Sequence, residues 1–179
     1  MTTHKIWDPF VRVFHWSLAG LFAANALIVD DDSWIHEWIG YAVAALVGLR
    51  ILWGVIGPRH ARFAAFAPTP SDVTEQITDI ATRRRRAHLG HTPLGALMIF
   101  NLLLTMLAIC ASGYMMTTDA FWGVEWVEEV HEALVTWAEL SVIAHIAAVL
   151  YESHRTGINL PRAMVTGTKR VPDDIRVVE

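Results

Sequence analysis

Apolar residues fall into four long blocks separated by shorter polar stretches. The blocks run from about Val13 to Val29, Trp38 to Ile56, Pro93 to Met116 and Ala133 to Tyr151. Each is close to the ~20 residues that carry a helix across a ~30 Å hydrocarbon layer. None alternates apolar and polar positions as a half-buried strand does. The pattern predicts four membrane-spanning helices. The second block holds Arg50 near its end, and the fourth holds Glu139 and His145. Such side chains are costly in lipid and are expected to face protein. Residues 58–90 form the longest connection. Within it Pro68 and Pro70 open a polar segment, Ser71 to Arg86, of helical character, with Ser71 as the expected N-cap. The tail, residues 152–179, is polar, and Pro161 and Pro172 limit long helices there.

Composition narrows the class. The 179 residues are 54% hydrophobic and 18% charged, against roughly 45–50% and 25% in ordinary soluble domains. That much apolar surface excludes a disordered chain. A single cysteine excludes a disulfide scaffold, and a net charge of -4 excludes a strongly basic nucleic-acid binder. The sorting of charge says more than its amount. If the four blocks are spans, every Lys and Arg can be placed on one side. Lys5 and Arg12 precede the first span. Arg50, Arg59, Arg62 and the run Arg83 to Arg86 lie at or after the end of the second. Arg155, Arg162, Lys169, Arg170 and Arg176 follow the fourth. The other two connections hold only acids: Asp30, Asp31 and Asp32 in one, Asp119, Glu125, Glu128 and Glu129 in the other. This positive-inside pattern places both termini in the cytoplasm. The expected fold is all-α, an integral membrane four-helix bundle forming a single domain over residues 1–179. Met1 to Phe10 lacks the features of a cleavable signal, so the first block is expected to remain as a helix. Trp34, Trp38, Trp122 and Trp126 cluster at the acidic connections and fit an aromatic belt at the outer face. The arginine run reads as a topology signal with headgroup contact, or as a docking patch for a cytoplasmic partner.

Nine histidines are the candidate chemistry. His15, His36, His131 and His145 fall in or at the edges of spans, where an ionisable side chain is a functional candidate. His4, His60, His88, His91 and His154 fall in tails, connections or helix ends and read as solvated or interfacial. His131 and His145 are fourteen residues apart on the fourth span. That is just under four helical turns, so they lie within about 40° of one face and roughly 21 Å apart along the axis. By chain direction, His15 and His145 lie toward the cytoplasmic side and His36 and His131 toward the outer side. Two imidazoles on facing helices at each of two depths suit two six-coordinate haems better than one zinc. Gly40 lies one turn after His36 and either leaves room for a macrocycle or serves close helix packing. Arg12 and Arg155 suit haem propionates or lipid headgroups. Glu139 is placed for a hydrogen bond inside the bundle or for proton transfer.

The chain resembles the prokaryotic di-haem cytochrome b561 family, which includes the cytochrome b subunits of Ni-Fe hydrogenases. The matching stretches are Trp7-Asp8-Pro9 with Arg12-Val13-Phe14-His15-Trp16, His36 with Gly40, and Gly90-His91-Thr92-Pro93-Leu94-Gly95, followed by the spacing of His131 and His145. Asn159-Leu160, Ala163-Met164 and Gly167-Thr168-Lys169-Arg170 resemble a tail found in the branch coupled to c-type cytochromes. The resemblance implies two haem b groups, one held by His15 with His145 and one by His36 with His131. It also implies a multi-pass protein of the bacterial cytoplasmic membrane, in contact with lipid. Its role would be electron transfer between the quinone pool and a redox partner, a periplasmic c-type cytochrome or a hydrogenase. The alternatives are a superoxide:quinone oxidoreductase and, from another class, a haem-free transporter or channel using the histidines as a relay.

Overall fold

A computed structural model of the chain describes residues 1–178. It is mostly helical, at 69%. Four helices are long and apolar enough to cross a membrane: α1 (Pro9–Leu27), α2 (Trp34–Ile56), α4 (Pro93–Met116) and α5 (Glu125–Thr156). Two shorter helices, α3 (Pro70–Ala81) and α6 (Leu160–Thr166), two single-turn 3-10 helices (Arg59–Ala61 and Phe63–Ala65) and four short strands complete the elements: β1 (Thr2–Lys5), β2 (Arg86–His88), β3 (Thr168–Val171) and β4 (Arg176–Val178). Even the shortest spanning helix, α1 with 19 residues, reaches about 28 Å at 1.5 Å per residue.

Three of the four long helices start at capping residues. Asp8 accepts the N–H of Val11 at 3.1 Å with Pro9 opening α1, Ser33 accepts the N–H of His36 at 3.3 Å, and Thr92 accepts the N–H of Gly95 at 3.1 Å with Pro93 opening α4. Helix α5 begins eight residues before the apolar block and continues five past it. The block measures what suits hydrocarbon. The helix goes on into polar flanks whose Glu125 and Glu128 at one end, and His154 and Arg155 at the other, complement its dipole. The expected N-cap of α3, Ser71, is not the one used. Thr69 accepts the N–H of Asp72 at 3.3 Å while the Asp72 carboxylate accepts the N–H of Thr69 at 2.8 Å, and Pro70 takes the first helical position.

The chain forms two compact units. The basic unit comprises Met1–Arg12, Leu52–Ile99 and Ile143–Glu179, and carries thirteen of the fourteen Lys and Arg residues. In it β1 pairs antiparallel with β3, Thr2 opposite Val171 through Lys5 opposite Thr168, and β2 pairs in parallel with β4. Two small cores lie beneath these strands. One holds Ala87, Ile158, Val171 and Ile175, and the other holds Ile6, Trp7 and Ala163. The arginine run is built into this unit. Arg85 donates to the carbonyls of Arg155 at 3.1 Å and Thr156 at 3.2 Å, satisfying the last turn of α5. Arg86 reaches Asp79 at 3.2 Å and also Glu75. Arg85 and Arg86 are thus tied into the unit, while Arg83, Arg84 and Arg85 remain exposed. Arg12 donates to the carbonyl of Val165, and Arg155 binds Glu152 at 2.7 Å. Both arginines thus have protein partners.

The acidic unit comprises Val13–Ile51 and Phe100–Val142 and carries ten of the eighteen Asp and Glu residues. Its interior includes Val47 and Ala138, both fully buried, together with Arg50. Asn101 on α4 donates to Ser141 on α5 at 2.9 Å and accepts from the indole of Trp137 at 3.0 Å. Hydrogen bonds of this kind join helices where water does not compete. Trp137 is thereby tied to α4. Leu104 at 65% and Leu140 at 57% exposure present large apolar side chains outward, as lipid contact requires.

Candidate functional site

The acidic unit brings two of the four selected histidines together. His36 is the third residue of α2 and His131 lies in the second turn of α5. Their ring centroids are 6.4 Å apart with planes at 63°. A metal–imidazole bond of about 2 Å and a ring radius of about 1 Å put two imidazoles on opposite sides of one ion at centroid separations near 6 Å. Among the described residues, the Nδ1 of His36 is buried and has no hydrogen-bond partner. A Cβ added to Gly40, one turn below His36, would meet nothing within 4 Å, so there is open space at its Cα, while Cys110 of α4 lies 3.9 Å from its carbonyl. The approach of the two rings and this space fit a flat macrocycle held between two imidazoles.

Helix α4 supplies residues that the sequence did not single out. The Oγ of Ser112 lies 2.9 Å from the Nδ1 of His131. A Cβ added to Gly113 would sit 3.2 Å from the Cε1 of the same ring. The signal available in the sequence was the sparse polar set inside the third apolar block, Asn101, Thr105 and Ser112, which repays attention because polar groups are costly there.

His15 is half-buried on the α1 portion of the acidic unit, its ring 5.0 Å from Trp16 in an edge arrangement. His145 is half-buried on α5 within the basic unit. Their pairing thus rests on sequence depth. His88 and His91, read from sequence as solvated or interfacial, are structural parts of the basic unit. His91 is held between Trp7 at 4.5 Å and Phe66 at 4.4 Å. Burial holds the His88 imidazole below its ordinary range. Both line a cavity of about 260 Å³ shared with Arg59, His60, Phe66 and Asp79. Beside it Lys169, only 3% exposed, donates from Nζ to the carbonyls of Gly90 at 2.7 Å and His88 at 3.0 Å, and lies 5.4 Å over the Trp7 ring. Burial lowers the Lys169 ammonium to about 8.

The acids at the predicted outer face, Asp30 to Asp32, Asp119, Glu125, Glu128 and Glu129, are all exposed. So are Trp34, Trp38, Trp122 and Trp126 around them. The family model for prokaryotic cytochrome b561 matches residues 6–167. No curated protein and no solved structure matches the chain.

Proposed function

The chain belongs to the prokaryotic cytochrome b561 family, membrane b-type cytochromes of electron transfer, and from that premise we propose that it carries electrons across the bacterial cytoplasmic membrane through two haem b groups. Bound haem supplies a reversible one-electron iron centre whose potential the protein sets through its axial ligands and surroundings. The chain's part is to hold and insulate that centre. His36 and His131 supply the imidazoles of the outer site, and His15 and His145 those of the inner site. The observation that carries this reading is the 6.4 Å approach of the His36 and His131 rings beside the open space at Gly40. His131 and His145 are fourteen residues apart on α5, about 21 Å along the helix, so the two sites stand toward opposite faces of the hydrocarbon layer. The quinone pool is one reaction partner.

The division of charge supports the orientation and the class of the other partner. By the distribution of Lys and Arg between the spans, both termini lie in the cytoplasm. The outer face then shows exposed carboxylates and exposed tryptophans. Such a surface attracts a partner with a basic face and repels a small anion such as superoxide. This favours the relay to a periplasmic c-type cytochrome over superoxide oxidation. The test is loss of haem by site. His36→Ala and His131→Ala each remove the same one of two haems, while His15→Ala and His145→Ala remove the other. Depletion of one haem by both His36→Ala and His145→Ala contradicts the pairing.

A further inference from the structure

Three close contacts meet at the hydroxyl of Ser112. Its Oγ lies 2.9 Å from the carbonyl of Ala108, 3.1 Å from the carbonyl of Ile109 and 2.9 Å from the Nδ1 of His131. A serine hydroxyl has one proton, and carbonyls only accept. Were that proton given to the histidine, Oγ would face two carbonyl oxygens at contact distance with nothing between them. All three contacts are satisfied when the serine proton goes to its own helix backbone and Oγ accepts from an Nδ1–H on His131. The serine thus selects the tautomer of the ring and leaves Nε2 with its lone pair free. Ser112 is itself 6% exposed, so water does not compete for this bond. The next residue completes the seat. Gly113 has no Cβ, and one placed there would stand 3.2 Å from the Cε1 of His131, tighter than ordinary contact. Ser112 orients the ring and Gly113 lets it approach α4.

His36 is held differently. Its backbone is fixed at the start of α2 by Ser33, and Asn25 donates to its carbonyl at 3.4 Å, but its buried Nδ1 has no partner among the described residues.

We propose that Ser112 and Gly113 are positioning residues for the outer haem, acting through His131 and making it the more basic and more firmly held of two unequal axial ligands. The inference rests on the reading of His131 as a ligand and adds to it an asymmetry that neither the family nor the four histidines specify. An imidazole that donates its second N–H to an acceptor is a better electron donor to a metal, and removing such a partner typically costs 10–100-fold in metal affinity. Loss of the Ser112 acceptor also favours the reduced iron and raises the potential of that haem.

The experiment uses the full-length protein in detergent, with wild type, Ser112→Ala, Ser112→Thr and Gly113→Ala. Haem content is measured first, then the two midpoint potentials by spectroelectrochemical titration, then the rate of haem loss to excess apomyoglobin. Ser112→Ala raises the potential of one haem, leaves the other unchanged, and speeds loss of the first by about 10–100-fold. Ser112→Thr, which keeps the hydroxyl, restores both values. Gly113→Ala speeds loss of the same haem. The proposal is overturned if Ser112→Ala moves neither haem, if it moves both alike, or if threonine fails to restore what alanine removed. A wild-type protein without a second haem overturns the functional reading itself. That result is distinguishable because it precedes any variant.

Discussion

Replacing Lys169 with methionine tests whether the basic unit is organised around a buried ammonium. Lys169 sits on β3 with Nζ bound to the carbonyls of His88 and Gly90 and the Trp7 ring beneath it. Burial lowers its proton affinity from the ordinary 10.5 to about 8, with the nearby Glu152 carboxylate opposing the shift. The folded state therefore releases this proton before the unfolded state does. Between pH 8 and pH 10.5 the unfolded chain binds more protons, so stability rises with pH across that window and is level below it, where both states hold the proton. The shift is about 2.5 units, and at 1.36 kcal/mol per unit it gives a rise of about 3 kcal/mol. Hydrogen exchange at the backbone amides of residues 86–91 and 168–171, corrected for intrinsic rates, reads the opening free energy of this region. The wild type gains about 3 kcal/mol of protection between pH 7.5 and pH 10.5. Lys169→Met, which keeps the apolar stem, shows no such gain. At pH 7 it also loses two hydrogen bonds from a charged donor, each worth about 1.5–3 kcal/mol, offset in part by the ammonium that no longer has to be buried. Parallel pH profiles in the two proteins refute the assignment.

Other perturbations follow from single contacts. Thr69→Ala removes the capping box of α3 and costs about 1 kcal/mol, read as faster amide exchange in residues 70–75 with the histidine sites spectrally unchanged. Gly167→Ala forces a side chain into φ +82° and sets a Cβ 2.9 Å from the carbonyl of Trp7. It lowers the thermal midpoint by an amount corresponding to about 1–3 kcal/mol, and normal melting contradicts the account of that turn. The association rate with a basic c-type cytochrome falls at least about tenfold between low and physiological salt, and neutralising Asp30, Asp31 and Asp32 together flattens the dependence.

The parts legible in the sequence were those that lipid enforces. A helix in hydrocarbon needs an unbroken apolar block, so the four spans stood out. A histidine there is rare, which marks His36 and His131 in the sequence, and the fold sets their rings 6.4 Å apart. The helix ends were less legible, because the flanks of α5 carry charge and still continue the helix. The strands were not legible at all. β1 and β3 are four residues each, polar in composition, and meet across more than 160 residues of chain. No local period records such a pairing. The arginine run failed to announce its role for the same reason. The carbonyls it caps lie about 70 residues away on α5. Ser112 was hidden differently. A serine in an apolar helix is common, and only the position of His131 on another helix gives its hydroxyl a purpose.

The central claim is that one chain holds two b-type haems. Pyridine haemochrome quantitation of the purified full-length protein, set against protein concentration by amino-acid analysis, tests it most directly. The account predicts two haem b per chain, both low-spin in the reduced spectrum. A ratio of one, or a colourless protein, contradicts it.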